Sequence, residues 1–259
     1  MTDRILDRPG ARLAYSISGD GPIVVSAHGL TMSRSVAAAA GQGFAALAER
    51  HRTVVEYDAR GHGRSTGALV AADYTWRALA GDLLALLDEV SPDAPVDAIG
   101  ASMGSATILH AVLMAPQRFR RLVLTIPPTA WETRAAIASG YEQEARLVEE
   151  HGVEALMRLE ATVPNPPAVP AELVLRPDIV EELIPTIFRG AALSDLPPRA
   201  ELTEVTQPTL ILAWAGDPGH PLSTAEDLVA ILPDAELRIA RTPSDVAEWV
   251  SVADEFLGR

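Results

Sequence analysis

The 259-residue chain contains no cysteine, no lysine and a single asparagine, Asn165. Without cysteine there can be no disulfide, no thiolate nucleophile and no cysteine-based zinc site. All 21 basic residues are therefore arginine, set against 35 acidic ones, for a formal net charge of −14. That balance argues against nucleic acid or anionic membrane as a partner held by bulk charge. No run of about 18 apolar residues occurs, so no transmembrane helix is expected. The first ten residues carry no apolar leader core, so the expected location is cytoplasmic. A lysine-free, asparagine-poor composition fits a GC-rich bacterial coding sequence. The length fits a single domain over residues 1–259, able to bury about three quarters of its unfolded surface.

What is present is a rhythm. Short apolar runs alternate with segments of helical period, the pattern of an α/β fold with a mostly parallel, doubly wound sheet. Strands are expected at Ile23–Ala27, Thr53–Tyr57, 96–100, 122–126, Thr209–Trp214 and 236–240. Helices are expected at 36–49, from Trp76 to Val90 with Asp73 as N-cap, and at 104–114, 223–232 and 245–257. After Pro127 the strands stop. A charged helical stretch at 139–159, broken at Gly152, leads into the proline-rich VPNPPAVP and a short helix at 178–188. Residues 127–204 therefore read as a helical lid inserted after the sixth strand. The acidic run Glu142, Glu144, Glu149, Glu150 and Glu154 reads as its solvated face.

The strongest chemical signal is Gly100-Ala101-Ser102-Met103-Gly104, directly between a strand and a helix. A sharp turn there lifts the serine hydroxyl above the sheet edge, and the flanking glycines let strand and helix approach closely. A bare G-x-S-x-G arises by chance in roughly one chain in ten; its place at a strand–helix junction is what makes it specific. The next signal, His28-Gly29-Leu30, follows the first buried strand. A glycine there lets the loop turn so that the Leu30 N–H, with that of Met103, forms an oxyanion hole worth roughly 3 to 4 kcal/mol per donor. The third, Asp58 to Ser65 (DARGHGRS), suits a tight loop pinned by an Asp–Arg pair, with His62 in a structural role.

In these motifs the chain resembles the α/β-hydrolase fold family, with HGL, DARGHGRS and GASMG in the family's order and the insertion in its usual place. The resemblance implies Ser102 as nucleophile, Leu30 and Met103 as oxyanion donors, and an acid after TLILAW, which maps to Asp217. It departs at the base. The family's histidine follows the last strand, whereas here that strand runs into Arg241-Thr242-Pro243-Ser244, and no histidine lies beyond His220.

A serine hydroxyl needs a base at neutral pH. Of the six histidines, His28, His51, His62, His110 and His151 read as structural or solvated. His220, three residues after Asp217, can be the base or a residue packed against its loop, because triads are defined by geometry rather than by sequence order. Its carboxylate would be Asp217, with Glu132 as the outside candidate. Three functions follow. The first is a cofactor-independent hydrolase of small esters, lactones or related acyl compounds, through an acyl-enzyme on Ser102. The second is a non-hydrolytic cyclase, lyase or isomerase, and the third a ligand-binding protein on a retired scaffold. The expected partner is a small, apolar substrate met by insertion residues drawn from Trp131, Ile137, Leu156, Met157, Leu183 and Phe188. No metal motif, phosphate loop or dinucleotide fingerprint occurs, so neither metal nor other cofactor is expected.

Overall fold

The computed structural model describes residues 3–259. Eight strands form one sheet: β1 (Arg4–Arg8), β2 (Ala11–Ser18), β3 (Ile23–Ala27), β4 (Thr53–Tyr57), β5 (Val96–Ala101), β6 (Phe119–Thr125), β7 (Thr209–Trp214) and β8 (Ala235–Ala240). Their spatial order is β1-β2-β4-β3-β5-β6-β7-β8. β2 runs antiparallel to both β1 and β4, and the remaining pairs are parallel. β5 and β7 are buried along their whole length, as a central strand covered on both faces must be. The sequence pattern misses the β1–β2 hairpin, because β1 is largely exposed and carries no apolar alternation.

The helices are α1 (Arg34–Ala39), α2 (Trp76–Val90), α3 (Met103–Met114), α4 (Arg134–His151), α5 (Val153–Glu160), α6 (Ile184–Ala192), α7 (Arg199–Leu202), α8 (Leu222–Ile231), α9 (Pro243–Ala247) and α10 (Trp249–Leu257). Four expectations need correction. The helix expected at 178–188 is a 3-10 turn at Glu181–Leu183 followed by α6 at Ile184–Ala192, which Pro185 allows to start only there. The helix expected at 36–49 is α1 followed by a 3-10 turn over Ala45–Arg50, because Gly41 takes φ +69° and breaks the register. The N-cap of α2 is Thr75, whose hydroxyl accepts the Ala78 N–H, while Asp73 lies in the preceding 3-10 turn. The helix expected at 245–257 is two pieces, α9 and α10, meeting at Glu248.

Between β6 and β7 the described chain forms helices and loops but no strand. α4 and α5 are separated at Gly152, whose φ of +74° and ψ of 171° no helix interior allows. Together with α6 they close their own apolar cluster around Val148, Leu156, Ile184 and Phe188. The strand order reverses between β3 and β5, where Ala27 pairs with Gly100. At such a switch point the loops leaving the carboxyl ends diverge and open a crevice. His28 to Leu30 and Ser102 leave from those two strands.

Candidate active site

The turn after β5 is decided by local sterics. A Cβ on Gly100 would lie 2.5 Å from the Gly104 carbonyl carbon, and one on Gly104 would lie 2.1 Å from Ala27 O. Only glycine at both positions lets α3 pack this close to β5 and β3. Between them Ser102 is held at φ 50°, ψ −110°, a strained conformation for a non-glycine residue. Its N–H donates to Thr125 O at 3.0 Å, and Ser105 Oγ donates to Gly100 O at 2.6 Å.

After β7 the chain makes a tight loop from Ala215 to Pro221. Gly216 takes φ +81°, and the His220 N–H donates to Asp217 O at 3.2 Å. Thr129 N–H, on the segment leaving β6, donates to Gly219 O at 3.1 Å and ties the loop down. His220 Nε2 stands 2.8 Å from Ser102 Oγ, and His220 Nδ1 stands 2.8 Å from Asp217 Oδ2. Trp214 Nε1–H donates to the same Oδ2 at 2.8 Å, and Gly219 N–H donates to Oδ1 at 2.9 Å. Burial alone would raise the Asp217 pKa. The hydrogen bond and charge of His220, with the Trp214 and Gly219 donors, outweigh it and bring the value to about 2. Asp217 is therefore a carboxylate throughout the neutral range.

The N–H groups of Leu30 and Met103 donate to no protein acceptor among the described residues. The Leu30 carbonyl faces His62 Nε2, which anchors this loop from beneath. His62 and His28 are buried with ring centroids 5.1 Å apart. Burial pushes the His28 pKa down to about 4, and the ring is neutral: Nδ1–H donates to Gly29 O and Nε2 accepts the Ala59 N–H. In the loop from Asp58 to Ser65 the Asp–Arg pair expected from sequence does not form: Asp58 and Arg60 each take a partner outside the loop. Asp58 binds Arg34, and Arg60 binds Asp82 through two 2.9 Å hydrogen bonds. Among the other histidines, His110 meets Asp195 O and His151 is exposed.

Above Ser102 lies a cavity of about 530 Å³ between the sheet edge and the helical insertion. Met157 and Phe188 line it, together with Tyr141, Ile126, Trp214 and the proline-rich loop around Asn165. Trp131 does not line it. Its indole donates to Pro197 O and its ring lies under the Arg199 guanidinium, 4.1 Å away, on the outer side. Leu156 and Leu183 are likewise absent from the cavity wall: Leu156 is buried in the insertion's own cluster, and Leu183 packs with Ile187 against Tyr74 of the main body. Glu132 is an exposed partner of Arg199 and not part of the site. Glu144 corrects the reading of a uniformly solvated acidic face, since it lines the cavity with Glu160. The spacing held that signal: Tyr141, Glu144, Ala145 and Val148 fall on one stripe of α4. Sequence alone does not mark Trp214 as a donor, because in TLILAW it reads as one more buried strand residue. Among the described residues no three His, Asp or Glu side chains cluster as metal ligands.

A family profile described as the alpha/beta hydrolase fold matches residues 22–155. The chain is 30% identical over 177 residues to 3-oxoadipate enol-lactonase 2 of Acinetobacter baylyi, a match covering 64% of this chain and 61% of the lactonase. Its fold is similar to the crystal structure of a hydrolase from Pseudomonas aeruginosa, with a TM-score of 0.83 and 25% identity over 99% of this chain and 98% of that one. It is also similar to an enol-lactonase from Burkholderia xenovorans, with a TM-score of 0.79 and 21% identity over 99% and 100% of the two chains.

Proposed function

The chain belongs to the α/β hydrolase fold family, and from that premise we propose that it is a cofactor-independent serine hydrolase of small esters or lactones. One observation carries the reading: a single imidazole, His220, meets Ser102 Oγ with one nitrogen and the Asp217 carboxylate with the other. That is the relation a serine nucleophile requires of its base and its orienting acid.

In the proposed reaction Ser102 Oγ attacks the acyl carbon while its proton passes to His220 Nε2. Asp217 holds Nδ1–H and compensates the positive charge that forms on the ring. The oxyanion is held by the free N–H groups of Leu30 and Met103. Collapse breaks the acyl–oxygen bond, and the leaving alkoxide takes the proton from Nε2. Water then attacks the acyl-enzyme by the same route in reverse, giving the carboxylic acid and restoring Ser102. The helical insertion acts as a lid that excludes bulk water, and the mostly apolar wall accepts a small organic substrate.

The test is a fluorophosphonate probe followed by a screen of short-chain nitrophenyl esters. The expected result is one label per chain on Ser102 and measurable ester turnover. Folded protein that takes no label over hours would overturn the proposal.

A further inference from the structure

The cavity wall has one sign of unbalanced charge. Besides Asp217 and His220 its ionisable side chains are Glu144, Glu160 and Tyr141, and among the described residues no arginine lines it. Glu144 projects from α4 and Glu160 closes the C-terminus of α5 at the cavity's rim. Among the described residues neither carboxylate forms an ion pair, whereas their neighbours on the same helices do. Glu142 and Glu149 pair with Arg189, and Glu154 pairs with Arg176. Burial, with the charge of Glu160 added, pushes the Glu144 pKa up to about 7. The nearby arginine, Arg134, stands behind Tyr141 with its guanidinium bound to Ala191 O and Ser194 O, outside the wall.

Aromatic surface completes the wall. Tyr141 and Phe188 are tilted against each other with centroids 5.9 Å apart, and Trp214 borders the His220 end. Aromatic surface and unpaired carboxylates are the chemistry that recognises an ammonium group, and the nearby guanidinium, that of Arg134, lies 5.3 Å from the Tyr141 ring centroid outside the wall. An anionic acyl chain would meet the same wall with repulsion from both carboxylates.

We propose that the substrate carries a cationic ammonium group, held by Glu144 and Glu160 against Tyr141 and Phe188, while its acyl carbon lies at Ser102. This rests on the hydrolase reading for the reaction but not for the binding. Two measurements separate them. The first compares three nitrophenyl esters at about pH 8.5, where both carboxylates are ionised. They are the ester of trimethylammonio-butanoate, its isostere with a quaternary carbon in place of the nitrogen, and the hemiglutarate. The wild-type protein should prefer the cation over the neutral isostere by at least about tenfold in kcat/KM, with the anion slowest. In Glu144→Gln/Glu160→Gln that ratio should fall by about the same factor. The second measurement is calorimetric titration with benzyltrimethylammonium, which needs no turnover. Saturable binding that weakens at least about tenfold in the double variant supports the proposal even if no ester is cleaved. Equal rates for cation and isostere, or titration curves identical in the two proteins, would overturn it while leaving Ser102 labelling untouched.

Discussion

His220 and Asp217 sit three residues apart in one loop, yet His220 bridges Asp217 Oδ2 to Ser102 Oγ, 118 positions earlier in the chain. The acid–imidazole contact is therefore a property of the turn after β7, with Gly219 N–H and Trp214 Nε1–H holding the carboxylate in place. Only the imidazole–serine contact depends on how β5 and β7 are placed in the sheet. This differs from a base supplied by the loop after β8, where acid and base would be brought together by two separate strand ends.

Removal of the members should show a graded loss. Ser102→Ala is expected to abolish fluorophosphonate labelling. His220→Ala should lower turnover on the order of a thousandfold, since losing one member removes most of what the group does together. Asp217→Asn should cost less than that but still heavily, because the ring keeps partial orientation from its own loop. Steady-state kinetics with unchanged circular dichroism checks all three. Wild-type turnover in His220→Ala would refute the assignment of the base.

Trp214→Phe removes one donor from Asp217 and leaves the aromatic body stacked on Trp249. The Asp217 pKa should rise, and kcat should fall about three- to tenfold with KM little changed, the scale of one typical hydrogen bond where two other donors to the carboxylate remain. A change confined to KM would indicate a packing role instead.

The loop after β8 should tolerate change. Thr242 caps α9, accepting the Asp245 N–H, while Asp245 accepts the Thr242 N–H. Thr242→Ala is expected to reduce stability by about 1 kcal/mol in urea unfolding. Ester turnover should stay within about twofold, since a lost cap costs fold stability rather than chemistry.

Glu144 should act on stability in the opposite sense to a paired carboxylate. Its folded pKa, pushed up to about 7, exceeds the ordinary 4.5, so the unfolded chain gives up this proton first. Stability is then lost as pH rises from about 4.5 to about 7 and stays lower above that range. Glu144→Gln should be close to neutral at about pH 4.5 and stabilising by about 1–2 kcal/mol at about pH 8, after allowance for partial exposure. Thermal unfolding at the two pH values checks this, and a pH-independent difference would contradict it.

Hydrolysis should be indifferent to chelators. Among the described residues no three potential ligands converge, and a catalytic ion needs about three protein ligands and an open position. Rates before and after prolonged EDTA dialysis should agree, and a loss restored by zinc or manganese would contradict this.

The sequence alone determined whatever a few consecutive residues decide. The Gly100–Gly104 turn is legible because a Cβ at either glycine would strike backbone. The spacing of Asp217 and His220 made their contact possible in a short loop, and the parallel sheet is written in fully apolar runs such as TLILAW. The tertiary structure decided which of many chemically similar partners meet. Asp58 could pair with Arg60 two residues away but is met by Arg34, and Arg60 by Asp82, because the loop's fold turns them apart. Trp131 and Glu144 exchange their expected sides, since helix periodicity gives a stripe but not the direction in which the insertion docks. His220 could have been a packing residue on every local criterion. Its contact with Ser102 follows from the strand order, which places β5 and β7 on either side of β6 and brings their carboxyl ends to one crevice. No stretch of sequence encodes that distance, because it is the sum of every pairing in the sheet.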